Sequence, residues 1–172
     1  MKYLRLTTFL TLVLLTCCSK SNKQQVFIPT LENSIYDSAK LLSKPQADSV
    51  LRLIQELNAN IGSQLAVITI DTLNGQEIND YSINQAERLQ IGRADYDDGI
   101  LLTIAVKNRE MRIEVGLGLE LIIKDEIASR INRQVIAPEF RKGKFGLGIY
   151  KGLDSIKYLI ERDRDLVGKR PK

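Results

Sequence analysis

The sequence predicts an α/β fold, a three-layer sandwich in which a small mixed sheet is flanked by helices. Two nearly continuous apolar runs, residues 64–70 and 100–106, are typical of strands that are covered on both faces. Stretches with apolar residues at helical spacing precede and follow these runs. The order helix, strand, helix, strand, strand, helix, helix therefore indicates one α/β domain.

The first helix is predicted to begin at Ser43. Gln46, three residues on, completes a capping box, and Pro45 stands in the first turn. Apolar residues then recur at helical spacing until Gly62, a residue type that commonly ends helices. The segment thus predicts a long amphipathic helix that leads directly into the strand at residues 64–70.

Two further helices are predicted from the same spacing. Residues 78–89 place their apolar side chains on one face, and Gly92 is expected to end that helix. Residues 149–160 repeat the pattern near the end of the chain. The charged tail that begins at Arg162 is expected to fray.

A shorter amphipathic helix is predicted after Asp125. Pro138 and Gly143 are expected to interrupt it, because proline removes a backbone donor and glycine favours turns. This short helix would lie between the predicted hairpin and the last helix of the domain.

The last two strands are predicted to form a hairpin, because residues 107–110 between them are short enough for a tight connection. A helical crossover joins the strands at residues 64–70 and 100–106, which makes those two strands parallel. Their beginnings then share one edge of the sheet with Asp97, Asp98 and the end of the hairpin.

Carboxylates are predicted to crowd at that edge. Asp97 and Asp98 precede one strand, and Glu120 follows the glycine turn Gly116-x-Gly118. Such charges repel one another unless a cation lies among them, and hard oxygen ligands suit Ca²⁺ or Mg²⁺. The residues alone leave a second interpretation open, in which these acids only form turns and helix caps.

Composition excludes several classes of function. The chain has no histidine, and its two cysteines are Cys17 and Cys18, so histidine-based catalysis and cysteine-rich zinc sites are excluded. The formal charge of +4 is spread without a basic, aromatic stripe, so no nucleic-acid partner is expected. The glycine turn lacks the third glycine of a phosphate-binding loop, and no nucleotide is expected either.

The amino terminus predicts export and lipid attachment. Lys2 and Arg5 precede an apolar run of eleven residues, 6–16, which suits a signal peptide and is too short to span a bilayer. Cys18, or alternatively Cys17, stands where a bacterial lipoprotein signal is cleaved. An ordinary secreted protein that loses both cysteines remains the alternative.

Ordered motifs along the chain resemble the TPM domain family. They are Asp37, Leu41-Leu42-Ser43, Gly62-Ser63-Gln64, Asp97-Asp98-Gly99, Asn108-Arg109, Ile113-Glu114-Val115-Gly116, Gly118, Asp125, Pro138, Phe140-Arg141 and Gly143. The resemblance covers a TPM-like domain (26–162), and the residues outside it are predicted to form a signal peptide (1–17), a tether (18–25) and a charged tail (163–172). The candidate metal ligands are then Asp97, Asp98, Asp37, Glu120 and Asp125, with Ca²⁺ favoured over Mg²⁺.

Three functions are compatible with these features. The amino terminus and the resemblance together imply a lipid-anchored domain, facing the periplasm or exterior, that binds a divalent cation and assists the assembly or maintenance of membrane proteins. Its partners would be the membrane, through the anchor, and a membrane-associated protein. The alternatives are a metal-dependent phosphatase, for which only Arg141 and Lys144 are available as a phosphate clamp, and a structural lipoprotein without metal.

Lipid attachment is directly testable. Radiolabelled fatty acid should enter the wild-type protein and not the Cys17→Ala, Cys18→Ala double variant, because the thiol is the attachment point. Several acyl chains would make the attachment stable, whereas one gives only marginal membrane binding. Equal labelling of both proteins, or no labelling of either, would refute the lipoprotein assignment.

Overall fold

The computed structural model describes residues 34–170, and the predicted leader with Cys17 and Cys18 lies outside them. The strands and helices are β1 (Ile35–Asp37), α1 (Lys44–Ile61), β2 (Gln64–Ile70), α2 (Ile78–Leu89), β3 (Gly99–Ala105), β4 (Glu110–Val115), α3 (Asp125–Ile131), α4 (Ala137–Phe140) and α5 (Phe145–Arg162). Within the described residues, no helix is both long and apolar enough to cross a bilayer.

The sheet has the strand order β1-β2-β3-β4 and is mixed, as the sequence predicts. β1, β2 and β3 are parallel, and β4 runs antiparallel to β3. Gln64 is paired with Gly99, and Ile100 with Val115, so the starts of β2 and β3 share an edge with the end of β4. The sequence did not predict β1, since three residues are too short to show a period.

Helices cover both faces of this sheet and complete the predicted three-layer sandwich. Alternate residues of β3 enter two separate cores: Ile100 and Leu102 pack in the larger core with α1 and α5. Leu101 packs in the smaller core under α2. All seven residues of β3 are buried, which explains the nearly continuous apolar run.

The predicted boundaries of α1 are confirmed, and that of α2 needs a small correction. Ser43 and Gln46 form the capping box, and Gly62 ends α1 in a left-handed conformation with φ 93°. α2 ends at Leu89, because Gln90 rather than Gly92 takes the left-handed cap with φ 49°. Gln90 thus forms the left-handed C-cap that glycine forms more often.

Pro138 does not stop the helix that follows Asp125. The chain widens into a π-helical turn at Asn132–Ile136, and the N–H of Ala137 donates to the carbonyl of Asn132. This wider turn lets the helical path continue as α4 although proline lacks an N–H. Gly143 then turns the chain towards α5, with φ 71°.

The expectation that the charged tail frays is wrong for residues 163–170. Leu166 and Val167 pack against the larger core. The N–H of Gly168 donates to the carbonyl of Gly118 at 2.9 Å. Two apolar residues among the charges are therefore enough to dock the tail against the glycine turn.

Candidate functional site

The acidic loop before β3 is a tight turn. The N–H groups of Tyr96 and Asp97 both donate to the carbonyl of Arg93, at 3.0 and 2.8 Å. Asp97 takes a left-handed conformation with φ 48°, which aspartate tolerates better than most residues. Its own carbonyl then accepts the N–H of Gly118 at 3.0 Å, so the loop is joined to the glycine turn.

Glycine is required where the loop meets its neighbours. A Cβ on Gly99 would overlap the carbonyl oxygen of Ile91, and a Cβ on Gly118 would overlap that of Tyr96. Both obstacles are backbone atoms, which cannot move aside as a flexible side chain could. The glycines of the sequence motif thus allow two backbone segments to pack in direct contact.

Asp98 is fully buried and its carboxylate is occupied by groups of its own chain. Oδ1 accepts the backbone N–H of Arg93 at 2.9 Å. Oδ2 accepts the hydroxyl of Ser63 at 3.1 Å and the Arg93 guanidinium at 2.9 Å from Nε and 2.5 Å from Nη2. The guanidinium also lies over the Tyr96 ring at 3.8 Å. The cation that neutralises Asp98 is therefore an arginine side chain.

Asp97, by contrast, faces a groove of about 420 Å³ between α2 and the glycine turn. Glu114 and Glu120 also line this groove, together with the exposed apolar side chains of Ile83 and Leu117. The groove therefore combines carboxylates with apolar surface that is accessible to a ligand.

Four acids form what we call the acidic rim: Asp97, Glu114, Glu120 and Asp125. Glu120 links them, since it lines both the groove of Asp97 and a second groove that contains Asp125. Asp97 forms an ion pair with Arg170. Glu114 forms an ion pair with Arg112, with a nitrogen–oxygen distance of 2.8 Å. Within residues 34–170, Glu120 and Asp125 form no ion pair.

Asp37 lies away from the rim. It is aligned with Thr69 near the end of β2, about 16 Å along the strand from Gln64 at the opposite edge of the sheet. Its carboxylate accepts the N–H groups of Leu41 and Leu42, at 2.9 and 2.8 Å, and the Thr69 hydroxyl. Asp37 therefore shapes the turn before α1 and is too distant to share an ion with Asp97.

The structure thus brings three of the five candidate ligands, Asp97, Glu120 and Asp125, to one rim. It buries Asp98 beneath that rim. Among residues 34–170, no three acidic side chains are grouped closely enough to hold a metal ion. The five candidate ligands therefore do not form a preformed metal site.

The sequence interpretation missed Arg93, Ser63 and Glu114. Ser63 stands within one of the recognised motifs, and its place before β2 could have suggested a role. Nothing local marks Arg93, because an arginine in a polar loop is ordinary and its partner is defined only by the folded turn.

The TPM domain family profile matches residues 35–159, which is most of the chain. The protein therefore belongs to the TPM domain family. A comparison with curated proteins found no match.

Three solved structures share the fold. The N-terminal domain of a protein from P. gingivalis, solved by NMR, is 22% identical, with a TM-score of 0.71, and the match covers 80% of this chain and 95% of that one. BA42 protein from Bizionia argentinensis is 16% identical, with a TM-score of 0.59 and coverage of 70% and 82%. The N-terminal domain of cg2496 protein from Corynebacterium glutamicum is 9% identical, with a TM-score of 0.57 and coverage of 81% and 83%. At these identities the likeness shows the fold alone.

The structural role of Asp98 can be tested by replacing it with asparagine. Asp98→Asn should lower the free energy of unfolding by about 3 kcal/mol, because it leaves the Arg93 guanidinium without its counter-charge and turns an amide N–H₂ towards donors. Asp95→Asn, at an exposed position of the same loop, should change it by less than about 0.5 kcal/mol. Urea unfolding measures both, and equal stability of the two variants would contradict a structural role for Asp98.

Proposed function

We propose that this protein is a lipid-anchored, extracytoplasmic TPM domain that binds a membrane-associated protein through the acidic rim. The observation that carries the proposal is the groove at the rim, where exposed Ile83 and Leu117 adjoin Asp97 and Glu120. Protein interfaces commonly combine an apolar centre with a polar border. A partner segment with an apolar side chain next to a lysine or arginine would complement this groove.

The chain itself supports this chemistry. Arg170, from the docked tail, places its guanidinium on the Asp97 carboxylate. Leu117 remains 49% exposed beside it, so the apolar part of the groove is accessible. We infer that a basic side chain of the partner takes the position that Arg170 holds in the free protein.

We propose further that, in the absence of the partner, a divalent cation binds at the rim through Asp97 and Glu120. The Arg170 ion pair is exposed, and such pairs contribute about 1 kcal/mol or less, so a cation can displace it. Ca²⁺ fits better than Mg²⁺, because it accepts irregular sets of carboxylates and waters whereas Mg²⁺ demands a regular octahedron. Asp98 is not among the proposed ligands, since its oxygens are already bound.

The phosphatase alternative ranks below this proposal on geometry. Arg141, one of the two basic residues considered as a phosphate clamp, lines a groove at the far end of the sheet with Ala105. β3 alone separates the two ends by about 20 Å, so Arg141 cannot act on a phosphate held at Asp97. The structural-lipoprotein alternative would be favoured if both experiments below failed.

Site-specific photo-crosslinking in intact cells tests the partner-binding surface. A photoreactive residue at Leu117 should give a discrete crosslinked product with a membrane protein, and Glu120→Lys should suppress it by reversing the charge of the rim. The matched control is Tyr158, which is 63% exposed on α5. The same products from both positions, or no effect of Glu120→Lys, would refute binding at the rim.

The cation is tested by thermal unfolding of the chain without lipid, made by replacing Cys17 and Cys18 with serine. Ca²⁺ should raise the melting temperature in a concentration-dependent way that EDTA reverses, because a ligand of the native state stabilises it by mass action. Asp97→Asn should remove most of the shift, and Arg170→Gln should strengthen binding up to about five-fold by removing the competing cation.

The matched control for this titration is Asp71→Asn, an exposed acid at the opposite end of β2 that pairs with Lys107. It should leave the Ca²⁺ response unchanged. An undiminished response in Asp97→Asn would show that the ion binds elsewhere, and a larger response to Mg²⁺ than to Ca²⁺ would reverse the proposed selectivity.

A further inference from the structure

A second groove, of about 600 Å³, lies at the opposite end of the sheet from the acidic rim. Ile104 and Ala105, at the end of β3, are buried at its base, and Met111, Phe140 and Phe145 line its sides. Its volume is within the usual range for small-molecule sites, which are mostly apolar and carry a few polar groups.

The wall of this groove is held in place by contacts of its own. α4 follows the π-helical turn directly, and its Glu139 accepts a hydrogen bond from Lys151 of α5 at 2.7 Å. That bond lowers the pKa of the Glu139 carboxyl, which favours its charged form. Phe140 meets Phe145 edge to face, with ring centroids 5.1 Å apart. The groove is therefore built before any ligand arrives.

Two arginines stand at the groove. Arg109 comes from the turn between β3 and β4, and Arg141 follows α4. Within residues 34–170, neither guanidinium forms a hydrogen bond or an ion pair. Glu110 also lines the groove, so the lining carries an excess of one positive charge. An apolar groove beside unpaired guanidiniums complements a ligand with an apolar chain and an anionic head.

We propose that this groove binds a carboxylate-headed acyl chain, a fatty acid, with the chain against Met111 and Phe140 and the carboxylate at Arg109 and Arg141. A guanidinium matches a carboxylate because it can donate two parallel hydrogen bonds to the two oxygens. The site is independent of the acidic rim, since the length of the sheet separates them. It neither requires nor affects the proposed Ca²⁺ binding.

The test uses decanoate as the probe and the full chain with Cys17→Ser and Cys18→Ser, so that no attached acyl chain competes. Calorimetry should show saturable binding of one decanoate. Arg141→Gln and Arg109→Gln should each weaken it about ten-fold, because each removes a charge-assisted hydrogen bond. The matched control is Arg130→Gln, an exposed arginine on α3 outside the groove, which should bind like the unchanged chain.

Three further measurements distinguish a fatty acid from other occupants of the groove. Decanol should bind at least about ten-fold more weakly than decanoate, since it lacks the anionic head, and Ala137→Phe should block binding by filling the groove. Equal binding of decanol, undiminished binding in the arginine variants or no saturable binding would each overturn the proposal. So would a concentration-dependent dimer in analytical ultracentrifugation that Ala137→Phe abolishes, since a second copy would then occupy the groove.

Discussion

The ion pair between Asp98 and Arg93 is the constraint around which this end of the protein is built. A fully buried carboxylate is costly unless it is paired and hydrogen-bonded, and Asp98 receives donors from Arg93 and Ser63. These contacts join the segment before β2 to the loop before β3. The loop must close tightly to make these contacts. It can do so because Gly99 and Gly118 have no side chain to collide with the carbonyl groups of Ile91 and Tyr96.

This pairing divides the acids of the loop into two kinds. Asp98 is neutralised in the interior and contributes to the fold, whereas Asp97 lines the groove and its carboxylate is paired with the exposed Arg170. A cluster of acids in a sequence therefore does not by itself indicate a metal site, because arginines of the same chain can supply the positive charge. What remains accessible is the rim of Asp97, Glu114, Glu120 and Asp125.

The sheet separates the two surfaces for which we propose ligands. The acidic rim lies where β2 and β3 begin, and the apolar groove with Arg109 and Arg141 lies where β3 ends and the hairpin turns. The two surfaces also differ in charge, so they suit different chemistry: a basic segment or a cation at one end and an anionic amphiphile at the other. Opposite ends of one rigid sheet can bind such ligands without competing.

The sequence by itself determined the layers, the parallel and antiparallel pairing and the edge that carries Asp97, because these follow from local periodicity, capping and the length of connections. It could not separate Asp98 from Asp97, since adjacent aspartates look alike until one side chain turns inward. Nor could it place Asp37 at the far edge, because that depends on β1, which is too short to predict. Only the tertiary structure decided which charges meet, since Arg93, Arg170 and their partners come together through the fold.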